Sequence, residues 1–187
     1  TVSNNSVSTA PQVMSIAQEI ATAGNLAGFS ADEIIGLSGA LASLGVQPYR
    51  ARGNTQRIFA EIDEAVSESG QNLENFAQIS GDSAAEFASK WKSNAADTFV
   101  SLIDGLGRAA QSGGDLTAIL KDLGITSSLD QQTMKQLADN TDILHQTMSD
   151  ANTAYAEGTS LQEAYGSTAD NLASKLTELL NSVKGIL

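Results

Sequence analysis

The stretch Ser30-Ala-Asp-Glu-Ile-Ile-Gly-Leu-Ser-Gly-Ala-Leu-Ala-Ser-Leu-Gly45 contains the pattern that decides the fold. It opens with a capping box, in which Ser30 and Glu33 satisfy backbone amides that a helix start leaves free. Apolar residues then recur at steps of three and four, which is the spacing of one helix face. Gly45 stands where a glycine commonly ends a helix. The stretch therefore predicts a short amphipathic helix.

Similar start and stop signals recur along the rest of the chain. A second capping box begins at Ser83, and caps or early-turn prolines precede other apolar-periodic segments at Pro11, Pro48, Asn94 and Asp115. Glycines interrupt the pattern at Gly70, Gly113-Gly114 and Gly124. No stretch alternates with period two, so no sheet is predicted. We predict an all-α fold, a compact multi-helix domain of short amphipathic helices.

The C-terminal third has a different pattern. Residues 129–157 predict one or two helices, with Met134, Leu137, Leu144, Met148 and Tyr155 on the apolar side. A heptad seam follows, formed by Tyr165, Ala169, Leu172, Leu176, Leu179, Val183 and Ile186. We predict a helical core domain over 1–127, then a helical hairpin and a longer C-terminal helix over 128–187 that leads toward an extended or coiled-coil region. Because the chain starts at Thr1 and ends within the heptads, we expect it to be part of a longer polypeptide.

Composition and charge disfavour several functions. The 187 residues include 22 acidic and 10 basic side chains, for a net charge of −12, and no cysteine. Nucleic-acid binding requires clustered lysine and arginine, so no nucleic-acid partner is predicted. Without cysteine there is no disulfide framework and no thiolate metal site. The N-terminus has no basic and apolar signal segment, and the longest apolar stretch is too short to span a membrane.

The sequence offers little catalytic chemistry. Asp139, Asp142 and His145 follow at steps of three and could share a helix face as metal ligands, but one histidine with two carboxylates makes a weak set, and a solvated face is favoured. Glu68-Ser69 resembles the Glu-Ser start of a lytic transglycosylase motif, although a catalytic acid requires an apolar pocket and the segment lies at a helix end. We predict no enzyme, no cofactor and no metal.

The basic residues near the start of the third predicted helix allow two interpretations. Arg50, Arg52 and Arg57 form the one concentrated basic stretch, which would suit an acidic partner or a phosphate. Ordinary surface pairing, such as Arg57 with Glu61 four residues later, is favoured.

Lys90-Trp91-Lys92 also has two interpretations. A tryptophan between lysines suits a membrane interface, so the question of membrane contact stays open. Phe87 and Trp91 stand four residues apart, and this spacing favours a core anchor.

Several segments in a fixed order resemble the core region of phage tail tape measure proteins. The run from Gly28 to Arg57 contains a Gly-x-Ser start, a Leu-x-x-x-Leu-x-x-Leu-Gly helix and a Gly-Thr-type turn with a following arginine. Asn54 stands where the family more often has threonine. Later segments of the family pattern cover Asn72–Gly81, Ser83–Phe87, Phe99–Gly107 and Gly113–Ile125, so that the resemblance spans roughly residues 15–155. It marks Gly53 and Arg57 as motif positions with structural roles.

The resemblance implies a structural virion protein that helps set tail length and occupies the tail tube during assembly and DNA ejection. Its expected partners are the tail tube protein, tail assembly chaperones and tail tip proteins, with self-association through the C-terminal helix as a further contact. The implied location is the virion tail, and the host cytoplasm during assembly. Two alternatives stay open, a peptidoglycan-cleaving module of a phage tail protein and a helical adaptor outside any virion.

Overall fold

A computed structural model describes residues 10–165, and the side chains of residues 10–157. This part of the chain contains nine helices and no strand, which confirms the predicted all-α class. The helices are α1 (Ala10–Ala27), α2 (Ala31–Ser43), α3 (Pro48–Glu68), α4 (Gln71–Ser80), α5 (Ala84–Ser93), α6 (Ala95–Gln111), α7 (Leu116–Asp122), α8 (Ser128–Asp139) and α9 (Thr141–Tyr165). The predicted heptad seam lies outside the described side chains.

The helix starts follow the capping chemistry that the sequence predicts. Ser30 and Ser83 each form a complete capping box with the glutamate three residues later. The Asn94 side chain accepts a hydrogen bond from the Asp97 amide, and Asp115 accepts from two amides of α7. Pro48 is the first residue of α3. The four side-chain caps satisfy amides that would otherwise lack a partner at the starts of α2, α5, α6 and α7.

The predicted turn at Gly53 is wrong, because α3 continues through it from Pro48 to Glu68. A glycine costs a helix about 1 kcal/mol relative to alanine, and tertiary packing commonly offsets such a cost. Here the next two residues, Asn54 and Thr55, are buried on the inner face of the helix, in line with Ile58 and Phe59. A turn at Gly53 would remove this continuous face from the core.

The first three helices form an up-down-up arrangement. Glu19 of α1 lies beside Arg52 of α3, and Phe29, just beyond α1, stacks on Phe59 further along α3. Helices α1 and α3 therefore run in the same direction. Gly24 near the end of α1 contacts Ile34 near the start of α2, so α2 returns in the opposite direction, and α1 packs against both α2 and α3.

Aromatic side chains join the first three helices to the following ones. Phe59 lies 4.9 Å from Phe29, 5.4 Å from Phe99 and 5.8 Å from Trp91, measured between ring centroids. Trp91 is buried, and its indole Nε1 donates to Asp63 Oδ1 at 2.6 Å. The prediction of a core anchor at Trp91 is confirmed, since the ring packs inside and its polar nitrogen is satisfied.

The last two described helices pack on the preceding ones. Helix α8 lies against α3 and α6, and α9 lies along α2 and touches α6. Met134, Leu137 and Leu144 are buried in the same core cluster as the side chains of α1–α7, whereas Tyr155 is partly exposed. The domain boundary between residues 127 and 128 stays a prediction. Within residues 10–165, no helix is long and apolar enough to cross a membrane.

Candidate functional site

The motif position Arg57 lies at a polar junction between α3 and α8. Its Nε donates to Asp130 Oδ2 at 2.7 Å, and its Nη2 donates to Asp130 Oδ1 at 2.6 Å. This is the two-pronged geometry that a guanidinium forms with a carboxylate. The predicted pairing of Arg57 with Glu61 is therefore wrong: α8 supplies a carboxylate that offers both oxygens, a geometry that outcompetes a neighbour on the same helix.

A buried amide extends the junction into the interior. Arg57 Nη2 also donates to Asn54 Oδ1 at 3.0 Å, and Asn54 Nδ2 donates to Thr133 Oγ1 at 2.6 Å. The Thr133 hydroxyl in turn donates to the Leu129 carbonyl at 3.2 Å. Asn54 and Thr133 are buried, so each polar group needs a partner, and the network supplies one. Four side chains thus join one turn of α3 to one turn of α8.

The other motif position, Gly53, lies directly beside this network. A Cβ atom at Gly53 would stand 3.0 Å from Nη1 of Arg57. The absence of a side chain therefore leaves room for the guanidinium to fold back along α3 toward Asp130. The structure brings the two predicted motif positions together. Gly53 does not form a turn, and its lack of a side chain leaves space for the Arg57 guanidinium.

The electrostatics of the pair are unequal. The side chain of Asp130 is 4% exposed, whereas that of Arg57 is 52% exposed. The hydrogen bond to Asp130 and the charge of that carboxylate raise the pKa of Arg57, against a smaller opposing effect of burial. Arg57 therefore remains charged, and the water-facing guanidinium neutralises a carboxylate that is almost wholly buried.

A groove of about 280 Å³ opens beside the junction. Its charged lining residues are Arg57, Asp130, Glu61 and Glu64, and the Gly124 turn also contributes to the wall. The Glu61 side chain lies over Gly124, where a Cβ would overlap its carboxylate, and Glu61 Oε1 accepts a hydrogen bond from Asn72 Nδ2 at 3.2 Å. With three carboxylates and one paired guanidinium, the groove has an acidic lining, which disfavours anionic ligands.

The other candidate residues lie apart from this junction. His145 Nε2 is 2.9 Å from Asp104 Oδ1 across α9 and α6, and no group of three or more metal-ligating side chains comes together within the described part of the chain. Glu68 and Ser69 lie exposed at the end of α3, where Ser69 takes a left-handed backbone conformation.

The three arginines do not form one patch. Arg52 points toward α1, with Nη1 3.8 Å from Glu19 Oε2, whereas Arg57 points toward α8.

The sequence did not predict the partners of Arg57. Asp130 lies 73 residues further along the chain. From the sequence it looks like an ordinary acidic residue in the first turn of a helix. No local spacing signals a pairing at that distance.

Comparisons with known proteins add no relative. No family model matches the chain, and no curated protein or solved structure matches it.

Proposed function

We propose that the chain is a helical domain of a phage tail tape measure protein, with a structural role in setting tail length. The proposal rests on the ordered motifs that resemble this family. The observation that carries it is the convergence of Gly53 and Arg57 at the junction with Asp130. Two positions that the resemblance marks as structural thereby serve one contact between distant parts of the resembling region.

The proposed structural role depends on contacts with other proteins and involves no covalent reaction. The expected partners are the tail tube protein, tail assembly chaperones and tail tip proteins, in the host cytoplasm during assembly and then in the virion tail. We also propose that the short helices rearrange into extended ones when the domain enters the tube. The helices are joined by turns of one to five residues, so a change of backbone angles at these turns would lengthen the chain without losing the helices.

The length of assembled tails tests both parts of the proposal. In the phage or prophage that encodes the chain, an in-frame deletion of residues 10–165 is expected to shorten the tail, measured by electron microscopy. Extended helices over this range would account for roughly 230 Å at 1.5 Å per residue, and a domain that stays folded in the tail for much less.

A substitution that destabilises the fold without changing the chain length is the matched control. The variant Arg57→Ala is expected to leave the length of completed tails unchanged while lowering their number. Tails of unaltered length and number after the deletion would overturn the proposed function. A shortening far below 230 Å would overturn only the extended arrangement.

A further inference from the structure

The charge of this protein is unevenly distributed along the chain. Three of the 22 acidic residues and three of the 10 basic residues lie within residues 1–60, so this part is neutral. Residues 61–187 therefore carry the whole net charge of −12. If two copies met through surfaces of the later helices, acidic side chains of one copy would face acidic side chains of the other. Such like-charge contacts oppose association.

The outer face of α1 and α3 belongs to the neutral part. Glu19 is the only charged residue of α1, and the exposed stripe of this helix consists of Gln18, Thr22 and Leu26. The neighbouring stripe of α3 consists of Tyr49, Arg52 and Gln56, at steps of three and four. We call these two stripes the α1/α3 face.

Large apolar side chains project from this face. Leu26 is 79% exposed and Tyr49 is 71% exposed. A groove of about 270 Å³ runs between the two stripes, with Ala23 and Thr22 on one wall and Arg52 and Gln56 on the other. A leucine side chain of an approaching helix would fit a groove of this size, and its burial would be favourable.

We propose that the α1/α3 face binds the same face of a second copy of this chain. A two-fold interface must be self-complementary. Each contact between two different residues then occurs twice, once with each copy supplying the first residue. Glu19 and Arg52 provide such a match, because they lie at the same level along two helices that run in the same direction. A two-fold axis parallel to the helices places Glu19 of each copy opposite Arg52 of the other.

The observed geometry of this pair leaves both groups available. The Arg52–Glu19 separation of 3.8 Å is long for an ion pair, and their side chains are 69% and 38% exposed.

The area of the α1/α3 face determines how tightly two copies can bind. Helix α1 is roughly 27 Å long and two helices are about 20 Å wide, so the face is smaller than the roughly 800 Å² that each partner buries in a standard interface. We therefore expect a reversible dimer with a dissociation constant in the micromolar range.

Complementary charge reversal tests the proposal on the full chain. Glu19→Arg places two arginines at the contact, and Arg52→Glu places two glutamates there. Each variant alone is expected to dimerise at least about tenfold more weakly than the parent, because both contacts become like-charged. An equal mixture of the two is expected to regain dimers, since both contacts then pair arginine with glutamate. Sedimentation velocity over a concentration series measures these equilibria, and circular dichroism confirms that each variant is folded.

A matched pair elsewhere on the surface controls for net charge. Asp82 and Lys90 form an ion pair between the α4–α5 turn and α5. Asp82→Lys and Lys90→Glu change the net charge by the same amounts as the first two variants, and they are expected to dimerise as the parent does.

Three results would overturn the proposal. The first is a parent chain that stays monomeric into the millimolar range. The second is a dimer that neither Glu19→Arg nor Arg52→Glu weakens, as association through the C-terminal heptads would give. The third is a mixture that stays monomeric although each variant is folded, which would show that the pair acts only within one copy.

Discussion

Arg57 and Asp130 share one contact but differ in their access to water, and this difference makes the effects of substitution unequal. Loss of the guanidinium leaves a carboxylate inside the protein with no opposite charge, at a position that is 4% exposed. Loss of the carboxylate leaves a guanidinium that is already half solvated. An uncompensated buried charge is far more costly than a solvated one.

We predict that Arg57→Ala lowers the free energy of unfolding by about 2–4 kcal/mol, and Asp130→Asn by about 1–2 kcal/mol. Urea unfolding followed by circular dichroism measures both values. Lys90→Ala, which removes a partner from an exposed ion pair, is the control and should cost far less than Arg57→Ala. Equal losses for Arg57→Ala and Lys90→Ala would contradict the assignment of Asp130 as a buried carboxylate.

The carboxylates at helix starts predict how stability depends on pH. Hydrogen bonds from the side chain and backbone of Ser83 lower the pKa of Glu86, and backbone amides of Thr117 and Ala118 lower the pKa of Asp115. A carboxylate whose pKa is lowered by folding stabilises the protein above its unfolded value, and this contribution is lost as the pH falls through the folded value. The unfolded values lie near 4.5 for Glu86 and 3.8 for Asp115.

We therefore predict that stability falls below about pH 4.5, in part through Glu86. Glu86→Gln removes the titrating group, so the variant should lose less stability than the parent between pH 6 and pH 3. Urea midpoints at the two pH values measure this difference. An identical loss in the two proteins would show that the Ser83 capping box does not contribute to the acid dependence.

At the scale of elements, the approach of α9 to α2 depends on small residues. A Cβ at Gly36 would lie 2.8 Å from both the Cα and the sulfur of Met148, and one at Gly39 would lie 3.2 Å from Thr147 Cβ. The Met148 sulfur could move aside, but its Cα belongs to the α9 backbone. The glycines of α2 therefore set the distance between the two helices, as small residues do wherever two backbones approach closely.

We predict that Gly36→Ala destabilises the protein by about 1–3 kcal/mol, although alanine is the better helix former by about 1 kcal/mol. Hydrogen exchange should also accelerate in α9, because the helix is displaced from α2. Gly53→Ala is the comparison, since a Cβ there meets the end of the Arg57 side chain rather than the backbone of another helix. Its effect should stay within about 1 kcal/mol. A neutral Gly36→Ala would mean that α9 adjusts its position freely.

At the scale of the whole molecule, α8 and α9 complete the core of the preceding helices. Met134, Leu137 and Leu144 are buried there, and the Arg57–Asp130 junction adds a polar link. Each of the three apolar side chains contributes about 2 kcal/mol on burial. Their sum is comparable to the net stability of a typical domain.

We predict that a fragment of residues 1–127 loses roughly 5 kcal/mol of stability or more relative to the full chain. Urea unfolding of both proteins, followed by circular dichroism, measures this loss. A fragment with the midpoint of the full chain would contradict this expectation, and it would support the domain boundary that the sequence predicts between residues 127 and 128.

The sequence alone determined the helical class, most of the helix starts and part of the core. Capping boxes at Ser30 and Ser83 and the spacing of Phe87 and Trp91 act within three or four residues, so the local pattern contains the information. Only the tertiary structure decided the partner of Arg57 and the packing of α9 on α2. These features depend on groups that are 73 or more residues apart in the chain, and a local pattern cannot specify which distant surface will cover a helix face.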